Sequence, residues 1–235
     1  MVLHLSIEGD GHLDFDVKKI VISGYTTRDP AGVQKHIEEM KQEGVAVPES
    51  FPLFFPKIAD RITTDTKIEI LPGRKSCGEA EFTLLIDDEE QIYVGIGSDH
   101  SDKTALQFSI LAGKHMCPGL ISKKVWRYLD VKDQWDDIIM RSWVIVEGKR
   151  QLYQDGKLSL FIKPEEYVRR LKEQVAGGDL SGMVVYSATL PIIGETTIST
   201  PYFEAQLIDE KLGRTLTCAY DVEPITWFTG KMQVS

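Results

Sequence analysis

Apolar and polar residues alternate over positions 3–8 (LHLSIE) and 12–17 (HLDFDV), with Gly9-Asp10-Gly11 between them. A period of two broken by glycines predicts a β-hairpin. Ile20, Val21 and Ile22 then form an unbroken apolar run that reads as a buried strand over 19–23. The period changes after Asp29. Val33, Ile37 and Met40 recur at helical spacing, Asp29 can cap the free N–H groups, Pro30 suits the first helical position and Gly44 supplies a stop. These signals predict a helix near 29–44. Pro48, Pro52 and Pro56 each remove a backbone donor, which predicts an extended, aromatic-lined loop.

Further strands are expected at 67–71, 80–86, 91–97, 143–146, 157–161, 183–186, 202–208 and 214–219. Helices are expected over about 101–113 and from Pro164 to about Val175. Strands outnumber helices, so the fold class is α+β rather than a regular alternation of β and α. No repeat of fixed period and no Ser/Gly/Pro-rich linker divides the chain. The expected organisation is a hairpin appendage, residues 1–18, on a single domain spanning 19–235.

Composition narrows the function. The 235 residues carry 27 Lys plus Arg against 36 Asp plus Glu, a formal charge of −9. A phosphate backbone or an anionic membrane surface needs a basic stripe, and Lys and Arg never cluster here without acids among them. Hydrophobic residues at 42% and charged residues at 27% suit a folded globular chain. The start of the chain is acidic where a secretory signal needs a basic start and a long apolar core, and apolar runs such as 143–146 fall far short of the roughly 20 residues that span a bilayer. The expected compartment is the cytoplasm. Cys77, Cys117 and Cys218 are odd in number and widely spaced, which argues against a disulfide framework or a cysteine zinc site.

Candidate chemistry centres on three acids. Glu79 and Glu81 are two apart at the start of an expected strand, so both carboxylates face the same way. Asp99 closes the next strand, and an antiparallel return across the turn at 87–90 brings it close to the pair. Three carboxylates suit a hard divalent cation with positions left for a substrate. Glu-x-Glu is equally the mark of a solvated strand face. Gly78, Gly95, Gly97 and Ser98 surround the acids with little bulk, which would let a ligand approach the backbone. His36 and Glu39, at i and i+3 on the expected helix, form either a functional pair or a solvated one. His4 and His12 read as surface residues, His100 and His115 adjoin candidate site residues, and Trp126, Trp135, Trp143 and Trp227 read as core or interface anchors.

In ordered motifs the chain resembles the fumarylacetoacetate hydrolase superfamily, and a bacterial branch of it in particular. The residues that carry the resemblance are Glu79-Ala80-Glu81, Ser98-Asp99-His100-Ser101-Asp102-Lys103, Gly113-Lys114 and Ala188-Thr189-Leu190-Pro191. Upstream, Gly24-Tyr25, His36-Ile37-Glu38-Glu39 and Pro52-Leu53-Phe54-Phe55-Pro56-Lys57 look like the family's N-terminal segment. Four departures stand out. Glu81 and Asp99 are only 18 residues apart, the Gly24 to His36 interval is longer than the family's, an arginine is replaced by Lys103, and Lys57 is displaced by one residue from the family's lysine.

The resemblance implies a strand-rich mixed β-roll with a helical lid near 29–44, pairing as a homodimer. It implies Glu79, Glu81 and Asp99 as ligands of Mg²⁺, with Mn²⁺ or Ca²⁺ as alternatives, and His36 with Glu39 as a catalytic dyad. Lys114 would stand beside the developing oxyanion, while Lys103 and Thr189 would bind the substrate carboxylate or organise the ligands. The implied activity is hydrolysis of a carbon–carbon bond in a small 2-oxo acid or acylpyruvate-like β-dicarbonyl through a metal-bound enolate. Decarboxylation, hydration and isomerisation use the same parts and stay open. So does a protein that binds a small acid without turnover.

Overall fold

Strands β1 (Val2–Ile7) and β2 (His12–Asp16) pair antiparallel in the register Val2 to Asp16, and the turn between them runs through Gly9 and Gly11, both at positive φ. This hairpin opens a computed structural model that describes residues 1–29, 51–194 and 196–229. The helix expected near 29–44 lies outside the described residues beyond its first position. Then follow β3 (Lys19–Gly24), β4 (Leu53–Lys57), β5 (Ile62–Thr63), β6 (Lys67–Ile70), β7 (Ser76–Cys77), β8 (Ala80–Ile86), β9 (Ile92–Asp99) and β10 (Ser101–Asp102). Two short helices, α1 (Lys103–Leu106) and α2 (Ile110–His115), lead to β11 (Gly119–Ile121), β12 (Lys124–Arg127), β13 (Ile139–Val146) and β14 (Lys149–Lys157). The chain continues with α3 (Pro164–Gln174), β15 (Met183–Tyr186), β16 (Tyr202–Asp209) and β17 (Arg214–Pro224).

The strands form a strand-rich α+β architecture of two mixed sheets and one small pair. The larger sheet runs β2-β1-β12-β9-β8-β15-β3-β4, with β11 joined to β9 and β5 joined to β11. The smaller runs β14-β13-β16-β17-β6, and β7 pairs with β10. In the larger sheet the contacts β1 to β12 and β15 to β3 are parallel, while β8 to β9 and β15 to β8 are antiparallel. Every position of β8 is buried, so this central strand is covered on both faces. Phe82, Leu84 and Ile86 pack with Met140, Phe203 and Leu207 of the smaller sheet, while Leu85 joins Leu3, Leu5, Phe15 and Val125 in a second apolar cluster. The hairpin thus continues the large sheet and supplies one wall of that cluster. Trp126 and Trp135 are fully buried, whereas Trp227 is exposed.

Three expectations are corrected. The proline-containing stretch after Phe51 is partly a strand: β4 pairs with β3 at the edge of the sheet, where the missing N–H of Pro56 breaks no inner ladder. The single helix expected over 101–113 is two, because the Asp102 carboxylate caps Ala105 N–H and the Ser109 hydroxyl caps Ala112 N–H seven residues later. The strand expected at 157–161 ends at Lys157. Glu147 and Gly148, both at positive φ, make the two-residue turn that sets β14 against β13 from Lys149 onward, and residues 158–160 form a 3₁₀ turn. No helix among the described residues is long and apolar enough to cross a membrane.

Candidate metal centre

Glu79 immediately precedes β8, and Glu81 is its second residue. The β8–β9 ladder sets Ala80 against Ser98 and Glu81 against Gly97, so the end of β9 returns beside the start of β8. Asp99 N–H then donates to the Glu79 carbonyl at 3.2 Å. Carboxylate oxygens of Glu79, Glu81 and Asp99 all lie within 4.8 Å of one another. The two glutamates face the same way because they are two apart on a strand, and the tight turn at 87–90 fixes the register that delivers the aspartate.

Three lysines neutralise the acids. Lys114, on α2, stands 2.6 Å from Glu79 Oε2 and 2.6 Å from Asp99 Oδ2. Lys103, the first residue of α1, donates to Glu79 Oε1 at 2.8 Å. Lys57, at the end of β4, donates to Asp99 Oδ1 at 3.0 Å, and both side chains are fully buried. Lys57 is the residue that the sequence reading leaves out of the site. Its one-residue displacement from the family motif hides it, and the strand β4 carries it back.

The charges set the titration of the group. Burial alone would raise the Glu79 carboxyl, but Lys114 and Lys103 outweigh it and hold the pKa down at about 2. Burial also opposes the Lys114 ammonium, and Asp99 and Glu79 overcome it to hold that pKa above its ordinary value. Among the described residues Glu81 has no lysine at hydrogen-bond distance; burial first and the Asp99 charge second push its carboxyl well above the carboxylate range. Among the described residues its Oε2 accepts only a backbone bond, from Ala188 N–H at 3.2 Å. Asp99 Oδ2 is paired with the Lys114 ammonium at 2.6 Å. Three converging carboxylates, of which Glu81 has only a backbone N–H for a partner among the described residues, are a hard-oxygen donor set that fits a divalent cation.

A second layer fixes the acids. Glu79 N–H donates to Ser98 Oγ at 3.1 Å, Ser98 Oγ meets the Tyr220 hydroxyl at 2.8 Å, and Tyr220 meets His100 Nδ1 at 2.8 Å. His100 is buried, and burial pushes its pKa down to about 4. Gln154, from β14, accepts from Ala80 N–H at 3.1 Å and donates to Thr189 Oγ1 and the Leu190 carbonyl, both at 2.6 Å. It clamps the 188–191 segment against β8. Ala188 sits there at φ +103°, a conformation that favours glycine.

A cavity of about 690 Å³ opens over Glu79, Glu81 and Lys114. Thr189 lines it, with its hydroxyl donated to the Ala80 carbonyl at 3.0 Å. Lys103 does not line the cavity and reaches the acids from behind. His36 and Glu39 lie outside the described residues. His115 is held by the Leu111 carbonyl and by Ile58 N–H. His4 is exposed and pairs with Asp14, and His12 is exposed. The small residues near Asp99 serve packing rather than ligand approach: a Cβ on Gly95 would lie 2.6 Å from Thr83 Oγ1, and one on Gly97 would collide with the Leu120 carbonyl.

A family described as Protein of unknown function (DUF2848) matches residues 23–220. The chain belongs to that family. No curated protein matches the sequence. Among solved structures, 2-keto-3-deoxyarabinonate dehydratase superposes with a TM-score of 0.67 at 13% identity, covering 92% of this chain and 78% of its own. A protein from Burkholderia cenocepacia assigned as a fumarylpyruvate hydrolase gives 0.63 at 15% identity, covering 96% of each chain. The 5-carboxymethyl-2-hydroxymuconate delta-isomerase of Mycobacterium smegmatis gives 0.60 at 18% identity, covering 91% and 81%. These neighbours are enzymes of the fumarylacetoacetate hydrolase superfamily, and this member of DUF2848 has their fold.

Proposed function

We propose that the protein is a divalent-metal-dependent enzyme that hydrolyses a carbon–carbon bond in a small 2-oxo acid or acylpyruvate-like β-dicarbonyl. What supports this reading is the meeting of Glu79, Glu81 and Asp99 within 4.8 Å, with Glu79, Glu81 and Lys114 lining a cavity and Asp99 buried directly behind them. Glu79, Glu81 and Asp99 would hold the ion, Mg²⁺ or Mn²⁺ by the hardness of their oxygens. When bound, it supplies Lewis-acid stabilisation of the negative charge that develops on the substrate's oxygens.

The chain's own groups do the rest. Hydrolysis adds water to one carbonyl carbon and breaks its bond to the neighbouring carbon, whose electron pair is taken up as an enolate and then protonated. Lys114 places a buried positive charge where the oxyanion forms. His36, with Glu39 as its partner in the dyad that the family resemblance implies, is assigned the proton of the attacking water, a contribution of roughly 10² to 10⁴ in rate. Lys103 and Lys57 hold two of the carboxylates in place from outside the cavity. Gln154 and Thr189 keep the 188–191 segment, and with it the N–H that meets Glu81, fixed on β8.

A second reading, dehydration or isomerisation of a 2-oxo acid, is supported by a dehydratase and an isomerase among the structural neighbours. Product analysis separates the two. Metal-loaded protein given acylpyruvates is expected to release pyruvate and the acyl acid, with Glu81→Gln inactive and His36→Ala strongly impaired. Turnover of 2-oxo acids with no C–C cleavage product would replace the hydrolytic reading with the second. Cleavage by His36→Ala at the wild-type rate would remove the role given to His36.

A further inference from the structure

We infer that Lys114 is an exchangeable cation that couples the filling of the site: on loading with a divalent ion it leaves Glu79 and Asp99 and pairs with the negative head of the substrate, so that ion and anion bind cooperatively. The inference rests on the reading of the site given above and adds how that site is assembled. All four carboxylate oxygens of Glu79 and Asp99 stand against a lysine ammonium. Glu79 Oε1 meets Lys103 at 2.8 Å, and Glu79 Oε2 meets Lys114 at 2.6 Å. Asp99 Oδ1 meets Lys57 at 3.0 Å, and Asp99 Oδ2 meets Lys114 at 2.6 Å. A divalent ion therefore draws on negative charge that these ammoniums already hold. Like charges crowded round one carboxylate repel, most strongly where water is excluded.

Of the three lysines, Lys114 is the one placed to yield. It bridges both acids, so its departure frees an oxygen on each. It also lines the cavity beside Glu79 and Glu81, where a substrate would enter. Lys57 is fully buried against Asp99, and Lys103 reaches Glu79 from behind. A lysine carries a compact charge on a flexible four-carbon stem, and Lys114 stands in the last turn of the short helix α2. A change of rotamer can move its ammonium into the cavity while β8 and β9 stay in place. The carboxylate of a 2-oxo acid gives the displaced ammonium a new partner of the same charge as the old ones. The coupling is reciprocal by thermodynamic necessity: an anion that draws Lys114 off the acids tightens the ion, and an ion that displaces Lys114 tightens the anion.

The test measures Mn²⁺ affinity by calorimetry with and without oxalate, a planar dianion, corrected for the Mn²⁺ that oxalate binds in solution. Lys114→Met and Lys103→Met are compared with the wild type. Each variant is expected to bind Mn²⁺ alone about fivefold or more tightly, because each relieves Glu79 of one ammonium. Lys103→Met should keep the wild-type enhancement of Mn²⁺ affinity by oxalate. Lys114→Met should show that enhancement reduced about fivefold or more, since chelation of the ion is the part that remains. A second measurement needs no variant: acetylation of Lys114 by acetic anhydride, read by mass spectrometry, should speed up with Mg²⁺ and slow again when oxalate is added. Equal oxalate enhancement in wild type and Lys114→Met, or a Lys114 acetylation rate that Mg²⁺ leaves unchanged, overturns the inference while the metal centre stands. Failure of all three proteins to bind Mn²⁺ sinks the metal reading and the inference with it.

Discussion

Lys114 is placed between two buried carboxylates, and that placement makes it the residue on which the charge balance of the site turns. Removing one partner of a buried ion pair typically costs about 3–5 kcal/mol because a charge is left uncompensated. Lys103 still meets Glu79 and Lys57 still meets Asp99, so the low end applies. Lys114→Met is therefore expected to lose about 3 kcal/mol in urea denaturation in metal-free buffer. Saturating Mg²⁺ should recover much of that loss, since a bound cation replaces the missing charge and stabilises by about 2.7 kcal/mol at a hundredfold excess over Kd. An equal loss with and without Mg²⁺ would show that the ammonium and the ion do not share the acids. The acids themselves were legible in the sequence, because spacing by two and a short hairpin fix side-chain direction without tertiary knowledge. Lys57 was not, because its approach depends on which strand β3 accepts as an edge neighbour, and Gln154 was not, because it reaches the site from the other sheet.

Among the elements, α3 shows sequence and structure in closest agreement. Pro164 starts it, Glu165 and Glu166 occupy the positive first turn, and Tyr167 and Leu171 bury one face. Glu166 accepts from Arg169 at 2.8 Å and from Arg170 at 2.5 Å. Arg169 first, with Arg170 adding to it against a small burial penalty, holds the Glu166 carboxyl at about 2, below its ordinary 4.5. A depressed carboxylate stabilises the fold above about pH 4.5 and loses that contribution as pH falls towards 2. Glu166→Gln is expected to cost about 0.5 kcal/mol at pH 7, a figure discounted for the solvent that reaches these side chains. The difference from wild type should vanish near pH 2, as read by urea midpoints across pH. A difference that persists at low pH would assign the effect to helix packing instead. Two of the elements that the sequence misplaced share one cause. The break between α1 and α2 and the turn before β14 are set by single capping or turn residues, Ser109 and Gly148, whose local signals were overridden in the reading by longer apolar patterns.

At the scale of the whole molecule, the α+β class and the central antiparallel pair β8–β9 followed from hydrophobic period, whereas the order of strands across the large sheet did not. Parallel neighbours such as β15 and β3 are far apart in sequence, and no local signal selects that pairing. The closed packing has a chemical consequence for the cysteines. Cys77, Cys117 and Cys218 are buried, and burial pushes their thiols up to about 11, about 11 and about 12. A thiol reagent at pH 8 is expected to leave all three nearly untouched in the native protein and to titrate all three in denaturant. Fast reaction of a native cysteine would mean that the sheets open in a way the packing does not show.

A metal centre here requires the three carboxylates to act as one ligand set. Titration of the purified protein with Mn²⁺, followed by calorimetry and by the paramagnetic signal of the free ion, tests this directly. One Mn²⁺ per chain is expected, displaced by Mg²⁺, with affinity reduced at least about tenfold in Asp99→Asn and in Glu81→Gln. Binding of unchanged affinity in both variants, or no binding to the wild-type chain, would contradict it.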